Sequence, residues 1–495
     1  MTICLIIFAL MVIGFFIKQL PMSFTSMAVL VALVLTGCVE AKTALGAFGS
    51  STVVTMVSMF IVAAGLSRTQ MINHLSKLLL KVTGGSFTKV LASYVVVTCI
   101  LGQFIPSIVA LFALKKPKPI PRANPKTRFA CVIAARNEER VIGELVQSLL
   151  RQNYPKTLFD IYVMPNNCTD HTALAAIRTG AAILKPRGEV RCKGDALHEA
   201  FETLLRKDYD AFCVFDADNV VDADFLSRMN DAFLAGAKVT KGAMRVKNPQ
   251  DSPLCGCYGL YFTCFDFFFS RARMNCGLSS KLVGTGFAVH RSVLEQSGGW
   301  NSATIAEDAE FAAYLAETGT RVWFVPEAVT YDEAPTSVRV SLRQRRRWSS
   351  GIMDVAQARA GALARSAFAG GGMRALDMLA MLTQPFCQAA GFLLTCAFAL
   401  SQTGWNRALA LLPLGLLGGY LAMSAFALLL AAISKQKTAL CAVFLFPLFM
   451  ASWLPLNLVS LLFRTRVWKE IEHGKTVHPA LPAASLRRVR SGISD

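Results

Sequence analysis

The chain has 495 residues, 54% of them hydrophobic, and a mean hydropathy of +0.44, which excludes an ordinary soluble protein and leaves room for about two to four domains. Its 51 Lys and Arg against 32 Asp and Glu leave a net charge of +19; beside long apolar runs, that excess points to cytoplasmic loops facing anionic membrane lipid, not to nucleic acid. The 14 cysteines are scattered through apolar stretches without a C-x-x-C, so they read as reduced thiols and indicate neither a zinc site nor a disulfide frame.

Residues 1–114 form the first region and contain four apolar runs: Thr2 to Ile17, Phe24 to Val39, Ser50 to Leu66 and Thr88 to Leu114. The first two are near the short limit for crossing a bilayer and the last is long enough to cross with tilt. Met1 is not followed by a basic n-region, so the first run reads as a membrane segment, not as a signal peptide. Leu35-Thr-Gly-Cys-Val-Glu-Ala-Lys-Thr-Ala-Leu-Gly-Ala-Phe-Gly and Phe60-Ile-Val-Ala-Ala-Gly-Leu-Ser-Arg-Thr resemble the start of sodium-coupled divalent-anion symporters. Those transporters carry Ser-Asn-Thr where this chain has Gln103-Phe-Ile-Pro-Ser, and they need a second inverted repeat where this chain changes character at Lys115. The expectation is therefore a membrane anchor; an anion transporter with a regulatory domain is the rival of another class.

Lys115-Lys-Pro-Lys-Pro-Ile-Pro-Arg cannot be helical and marks a boundary on the cytoplasmic side. A soluble domain, residues 115–350, follows. Phe129 to Ala135 is apolar enough for a buried parallel strand, and Glu138 to Arg151 places Val141, Ile142, Leu145, Leu149 and Leu150 at helical spacing. Next come strand Asp160-Ile-Tyr-Val-Met, helix Thr172 to Arg178, strand Ala181 to Leu184, helix Asp195 to Arg206 and the apolar strand that ends in Val214-Phe-Asp-Ala-Asp. This alternation predicts a doubly wound, Rossmann-like α/β sheet with ligands beyond the carboxyl ends of its strands. Arg136, Asn137 and Glu138, then Asn166, Asn167 and Asp170, then Asp216 and Asp218 all fall there. The first turn lacks G-x-G-x-x-G, which disfavours an NAD-type site. Asp216 and Asp218 read in two ways: as a polar turn capping the helix near Asp222, or as oxygens for one hard cation that holds a diphosphate.

Tyr258-Gly-Leu-Tyr-Phe-Thr-Cys-Phe-Asp-Phe-Phe-Phe fits an acceptor groove, a bilayer interface or a buried core helix equally well. Glu307 and Asp308 open a helix, where acidic side chains face the positive end of its dipole. Ser337 to Ala360 carries Arg339, Arg343, Arg345, Arg346 and Arg347, with Trp348, Ile352, Val355 and Ala356 on one face, so residues 337–365 read as an amphipathic helix along the membrane. Arg345 and Arg346 read there as lipid or solvent contacts. The C-terminal membrane region, 376–463, contains the runs Leu376 to Leu400, Ala408 to Ile433 and Ala439 to Phe463. Three full crossings would put Arg464 outside, whereas Lys435, Lys437, Arg464, Arg466 and Lys469 mark a cytoplasmic side. The charges carry more weight, and the last run, with Pro447 and Pro455, is expected to be re-entrant. Residues 464–495 form a basic cytosolic tail.

From about Lys115 to Gly351, and more loosely to Trp468-Lys-Glu-Ile-Glu-His, the chain resembles a family 2 glycosyltransferase of the GT-A fold, the group of cellulose, chitin and hyaluronan synthases. The ordered motifs carry the resemblance: Ala135-Arg-Asn-Glu, Asp216-Ala-Asp, Gly284-Thr-Gly-Phe, Glu307-Asp308 and Gln344-Arg-Arg-Arg-Trp, which fits Q-x-x-R-W. It implies a GT-A domain inserted between α-helical transmembrane regions. It places Asn137, Glu138, Asn167, Asp170, Lys193 and Asp216 around the nucleotide, and Asp218, helped by Asp216, on a Mg2+ or Mn2+ ion. Asp308 becomes the catalytic base with Glu307 beside it, and Gly286, Gln344, Arg347 and Trp348 hold diphosphate and acceptor.

The chemistry supports those roles. Attack of a hydroxyl on an anomeric carbon builds charge on the departing UDP, which a divalent ion and an arginine stabilise, while a carboxylate takes the proton. In-line attack with one base predicts inversion. Three positions depart from the family pattern: Asn166-Asn167 replaces Asp-Asp, Ala306 precedes Glu307, and Val283 precedes Gly284. The sequence thus predicts a multi-pass plasma-membrane enzyme with a cytoplasmic catalytic domain that moves sugar from a UDP-sugar to a growing polysaccharide, with export through its own helices as an open extension. The alternative is single transfer to a lipid acceptor.

Overall fold

The computed structural model describes residues 7, 22–39, 109–188, 190–369, 371–434 and 439–464. The runs at 50–66 and 88–108, nearly all of 2–17, Lys435, Lys437 and the tail from residue 465 lie outside the described residues. The chain divides into two units, Met1–Val95 and Val96–Asp495. In the first unit, Met22–Leu35 forms helix α1.

The second unit is built on an eight-stranded sheet in the order β3-β2-β1-β4-β7-β6-β8-β5. Its strands are β1 (Phe129–Ala135), β2 (Phe159–Pro165), β3 (Ala182–Ile183), β4 (Ala211–Asp216), β5 (Val220–Val221), β6 (Val239–Val246), β7 (Phe287–His290) and β8 (Val322–Asp332). The helices of the first half are α2 (Ile142–Leu150), α3 (Thr172–Arg178), α4 (Lys193–Leu204) and α5 (Phe225–Leu234). Strand β1 has the predicted limits because seven consecutive residues are apolar and both faces of the sheet are covered. Ala130 and Val132 pack into one core cluster, and Phe129, Cys131, Ile133 and Ala135 into the other.

The wholly doubly wound sheet expected from the sequence is corrected here to a mixed one. Strands β3, β2, β1 and β4 are parallel, but β7 runs antiparallel to both β4 and β6. The reversal follows from the long excursion between β6 and β7. That segment contains α6 (Pro253–Cys264), a π-helix over Phe265–Arg271 and α7 (Ala272–Asn275), and it brings the chain back at the end of the sheet where β6 left it, so β7 runs the other way.

The remaining helices are α8 (Arg291–Gln296), α9 (Glu307–Glu317), α10 (Val338–Ala367), α11 (Gly372–Ile433), α12 (Leu440–Ala451) and α13 (Trp453–Leu462). The apolar face of α10 is covered by protein: Val355, Ala356 and Leu363 are buried in the domain core, and Ile352 packs against it. Its expected place along the membrane is therefore occupied on that side by neighbouring helices. Helix α11 joins two of the three predicted apolar runs without a break, retaining Pro385 and Pro413 inside it. Its first part belongs to the domain, since Ala375, Met378 and Leu382 sit in the same core.

Among the described residues, two segments, Leu412–Ile433 and Leu440–Leu462, are long and apolar enough to cross a membrane. The last is interrupted at Ser452, between α12 and α13. Arg464, just past α13, donates to Asp354 at 3.1 Å and to Gln357 at 2.6 Å. Helix α13 therefore ends beside α10.

Candidate active site

The loops after β1 and β2 are interlocked. Asn137 and Asn167 both adopt positive φ, 56° and 47°, a conformation asparagine tolerates better than most residues. The Asn137 side-chain oxygen accepts from the Thr169 amide at 2.8 Å, and the Asn167 side-chain amide donates to the Val190 carbonyl at 2.8 Å. The Glu138 amide donates to the Thr172 hydroxyl at 2.8 Å. Asp170 accepts from the amides of Glu139 and Thr172 at 3.1 and 3.0 Å and from the Thr172 hydroxyl. Burial pushes its carboxyl upward, but these hydrogen bonds prevail and hold it below the usual range. Asp170 thus ties the two loops together, while Asn166 is buried beneath them.

Next to these loops, Lys193 begins α4 and Asp216 ends β4. The Lys193 ammonium contacts the Asp216 carboxylate directly, donates to the Gly284 carbonyl at 2.5 Å and lies 3.8 Å from Glu307. Burial alone would lower the Lys193 pKa; the charges of Asp216, Glu307 and Asp308 outweigh it and hold the ammonium above its ordinary value. Glu307 is buried. Burial raises it to about 7, against the pull of Lys193 and with a further push from Asp308. A Cβ placed on Gly284 would stand 3.4 Å from the Lys193 nitrogen, 3.7 Å from Asp216 and 3.8 Å from Asp308. Residues from α4, β4, the loop before β7 and the start of α9 therefore share one small cleft.

A polar network lies beneath Asp216. Its amide donates to the Thr285 hydroxyl at 3.1 Å, and that hydroxyl donates to the side-chain oxygen of Asn219. The Asn219 amide group donates to Asp332 at 2.9 Å and to Asp218 at 3.3 Å. Burial and the charge of Asp216 raise Asp332 to about 7, partly offset by the Asn219 hydrogen bond. Lys241 is buried nearby; desolvation lowers it to about 8 despite Asp266, Asp332 and Asp216. Asn219, Thr285 and Asp332 are additions to the residues singled out from sequence. Asn219 directly follows the Asp-x-Asp pair and was within reach of a pattern argument. Asp332 arrives through the pairing of β8 with β5 and β6, for which no local signal exists.

Gly286 acts through its backbone. Its φ is +62°, and a Cβ there would stand 2.7 Å from Thr330. Its amide donates to Val214 and its carbonyl accepts from Gly242, both at 2.9 Å, which inserts β7 between β4 and β6.

Gln344, Arg347 and Trp348 lie on α10, on the same face as Gly351 by their helical spacing. Gly351 abuts the segment before Asp308, since a Cβ on it would meet Ala306 Cβ at 2.8 Å. Gln344 accepts from the Tyr258 hydroxyl at 3.3 Å, and Trp348 stacks on Trp453 of α13 with centroids 6.4 Å apart. The stretch from Tyr258 to Thr263 is mostly a buried helix, as the core-helix reading predicted, whereas Cys264 to Phe269 are only partly buried, and the rings of Tyr258 and Tyr261 reach Phe449 and Trp453. Arg345 is corrected from a lipid or solvent contact to a buried one. It donates to the Phe449 carbonyl at 3.0 Å and the Ser452 hydroxyl at 2.7 Å, over the Phe449 ring, at the interruption of the last apolar segment. Arg346 donates to the Phe463 carbonyl at 3.3 Å.

Two family models match the chain: one described as glycosyltransferase like family 2 over residues 125–351, and one described as citrate transporter over residues 3–115. Among curated proteins, the chain is similar to the probable glycosyltransferase YdaM of Bacillus subtilis, at 30% identity over 45% of this chain and 55% of the relative. It is also similar to the beta-monoglucosyldiacylglycerol synthase of Synechocystis, at 29% identity over 46% of this chain and 48% of the relative. The poly-beta-1,6-N-acetyl-D-glucosamine synthase of Staphylococcus aureus matches at 24% identity, over 45% of this chain and 54% of the relative. The chain thus spans about half the length of the curated relatives it matches.

Proposed function

From the match of residues 125–351 to the model described as glycosyltransferase like family 2, we infer that this is a membrane-embedded enzyme transferring a sugar from a UDP-sugar to an acceptor hydroxyl with inversion. The observation that carries the inference is the cleft around Gly284, where Lys193 and Asp216 face Asp308. A proton acceptor and the diphosphate end of a donor site thereby adjoin. Asp308 takes the acceptor proton as the hydroxyl attacks, and its neighbour Glu307, raised to about 7, is about half protonated at neutral pH. Lys193 orients Asp216 and offsets charge that develops on the leaving diphosphate. Asn137, Glu138, Asn167 and Asp170 shape the loops for the nucleotide, and Gln344, Arg347 and Trp348 close the site from α10.

The donor set fits Mg2+ or Mn2+. Asp216 and Asp218 offer hard oxygens, and the mutual repulsion of Asp216 and Asp332 is the condition a cation relieves. Among the described residues no group of three ligating side chains surrounds the position, so a bound ion would take its other oxygens from diphosphate and water, as is usual for Mg2+. When bound, the ion supplies Lewis-acid stabilisation to the departing diphosphate.

A growing polysaccharide, exported along the apolar helices, is one acceptor. A membrane lipid is the second reading, favoured by one observation: the aromatic wall from Trp348 continues onto Trp453 within a segment apolar enough to cross a bilayer. The S. aureus relative bears the name of a polysaccharide synthase and the Synechocystis relative that of a glycolipid synthase.

The test is nucleotide release and label transfer by purified full-length protein across a panel of UDP-sugars with Mg2+ or Mn2+. Asp218→Ala and Asp308→Asn are expected to abolish release while the thermal midpoint is kept. Release that survives both changes sinks the reading, and sodium-dependent anion uptake surviving both would favour the transporter alternative. Label in the alcohol-insoluble fraction identifies a polymer, and label in the organic phase a lipid.

A further inference from the structure

Lys281 lies in the loop that leads to Gly284 and is partly buried. Its ammonium stands over the ring of Phe265, 4.5 Å from the centroid. Phe265 in turn stacks parallel on Phe269, with centroids 5.0 Å apart and planes at 2°, and Arg273 stands over Phe269 at 4.9 Å. The two cations on this pair of rings are treated differently by their surroundings. Arg273 is neutralised by Asp377 through bonds of 2.9 and 3.1 Å. Lys281 has no carboxylate within 4 Å among the described residues, and the acidic group whose charge reaches it is Asp308. Desolvation lowers its pKa to about 8; Asp308 opposes the shift and Arg273 adds to it.

An ammonium withdrawn from water is compensated only in part by one aromatic ring. Here the remaining valence points to an anionic ligand on the acceptor side of the base. The same rings lead towards the bilayer: Phe265 contacts Tyr261, and Tyr261 stacks on Trp453, with centroids 6.0 and 5.8 Å apart. Lys281 lies three residues before Gly284, and a Cβ on Gly284 would stand 3.8 Å from Asp308, so the loop carrying the ammonium also borders the base.

We propose that Lys281 binds the phosphate of an anionic lipid acceptor and so presents a hydroxyl of the same headgroup to Asp308. In the transfer step the headgroup oxygen forms the new bond to the anomeric carbon, that carbon's bond to UDP breaks, the proton passes to Asp308, and the lipid phosphate remains intact on Lys281. This assignment rests on the lipid-acceptor reading. It makes Lys281 a specificity residue that separates phospholipid from neutral diglyceride.

The experiment uses full-length protein in mixed micelles with labelled UDP-sugar and Mn2+, with either phosphatidylglycerol or diacylglycerol as acceptor, comparing wild type, Lys281→Met and Lys281→Arg. If Lys281→Met fails to fold by its thermal midpoint, Lys281→Gln replaces it. The Met change is expected to raise the KM for phosphatidylglycerol by about tenfold or more, the effect of losing one charged hydrogen bond. The KM for UDP-sugar and any transfer to diacylglycerol are expected to stay within about twofold, and Lys281→Arg to recover most of the loss. Equal losses with both lipids, a changed donor KM, or diacylglycerol glycosylated while phosphatidylglycerol is ignored overturns the assignment of Lys281 alone. Nucleotide release without label in either lipid overturns the lipid reading and this assignment with it, and absence of nucleotide release with every donor instead overturns the glycosyltransferase reading.

Discussion

Lys193, the first residue of α4, is in direct contact with Asp216, the last residue of β4, and the same ammonium lies 3.8 Å from Glu307 at the start of α9. One cation therefore holds together two acidic groups that come from distant parts of the chain. Lys193→Met is expected to reduce kcat/KM for the UDP-sugar by on the order of a hundredfold, the usual cost of removing one preorganised electrostatic group. Steady-state nucleotide release measures it. A change below about threefold, within ordinary variation for a peripheral substitution, would remove Lys193 from the proposed machinery.

Gly351 gives α10 its close approach to Ala306, two residues before Asp308. Gly351→Leu is expected to push the helix away and lower kcat by about ten- to a hundredfold, because displacements near 1 Å carry penalties of that order. Circular dichroism should show helix content unchanged. Full activity in this variant would mean that Gln344, Arg347 and Trp348 work independently of the α10 to α9 contact.

Asp332 carries a pH signature. In the fold its carboxyl is raised to about 7 by burial and by Asp216, whereas in the unfolded chain it titrates near about 4. The folded state thus binds the extra proton between these values, and this contribution to stability falls as pH rises through the window. Asp332→Asn removes the effect while keeping an oxygen for Asn219. With chelator present, its thermal midpoint relative to wild type is expected to rise steadily from near pH 4 to near pH 8.5. A gap that widens towards acid pH contradicts the raised pKa.

Arg345 joins α10 to the interruption at Ser452 through the Phe449 carbonyl and the Ser452 hydroxyl. Arg345→Met is expected to cost about 1–3 kcal/mol, the range for losing a charged hydrogen bond at a buried acceptor. The readout is the thermal midpoint in detergent, together with greater proteolysis at the α12–α13 junction. An unchanged midpoint would mean that aromatic packing alone seats the last apolar segment.

The sequence by itself determined the parts that depend on local periodicity and composition. The apolar run Phe129–Ala135 became β1 without adjustment, Thr172–Arg178 became a helix with its predicted limits, and Lys115 marked the start of a change that the matched domain follows closely. The positions of Asn137, Asn167, Asp216 and Glu307 relative to the elements were also legible, because each ends or follows a strand or opens a helix. Tertiary structure decided the rest. Strand β7 reverses direction because the helical excursion after β6 brings the chain back at the same end of the sheet, and a parallel expectation drawn from element alternation cannot register that return. The burial of Arg345 depends on a carbonyl at residue 449, and the network from Thr285 through Asn219 to Asp332 depends on pairing between β5 and β8. Such contacts join residues roughly fifty to a hundred or more positions apart, so no window of sequence contains both partners. The ion pair of Arg273 with Asp377 belongs to the same class.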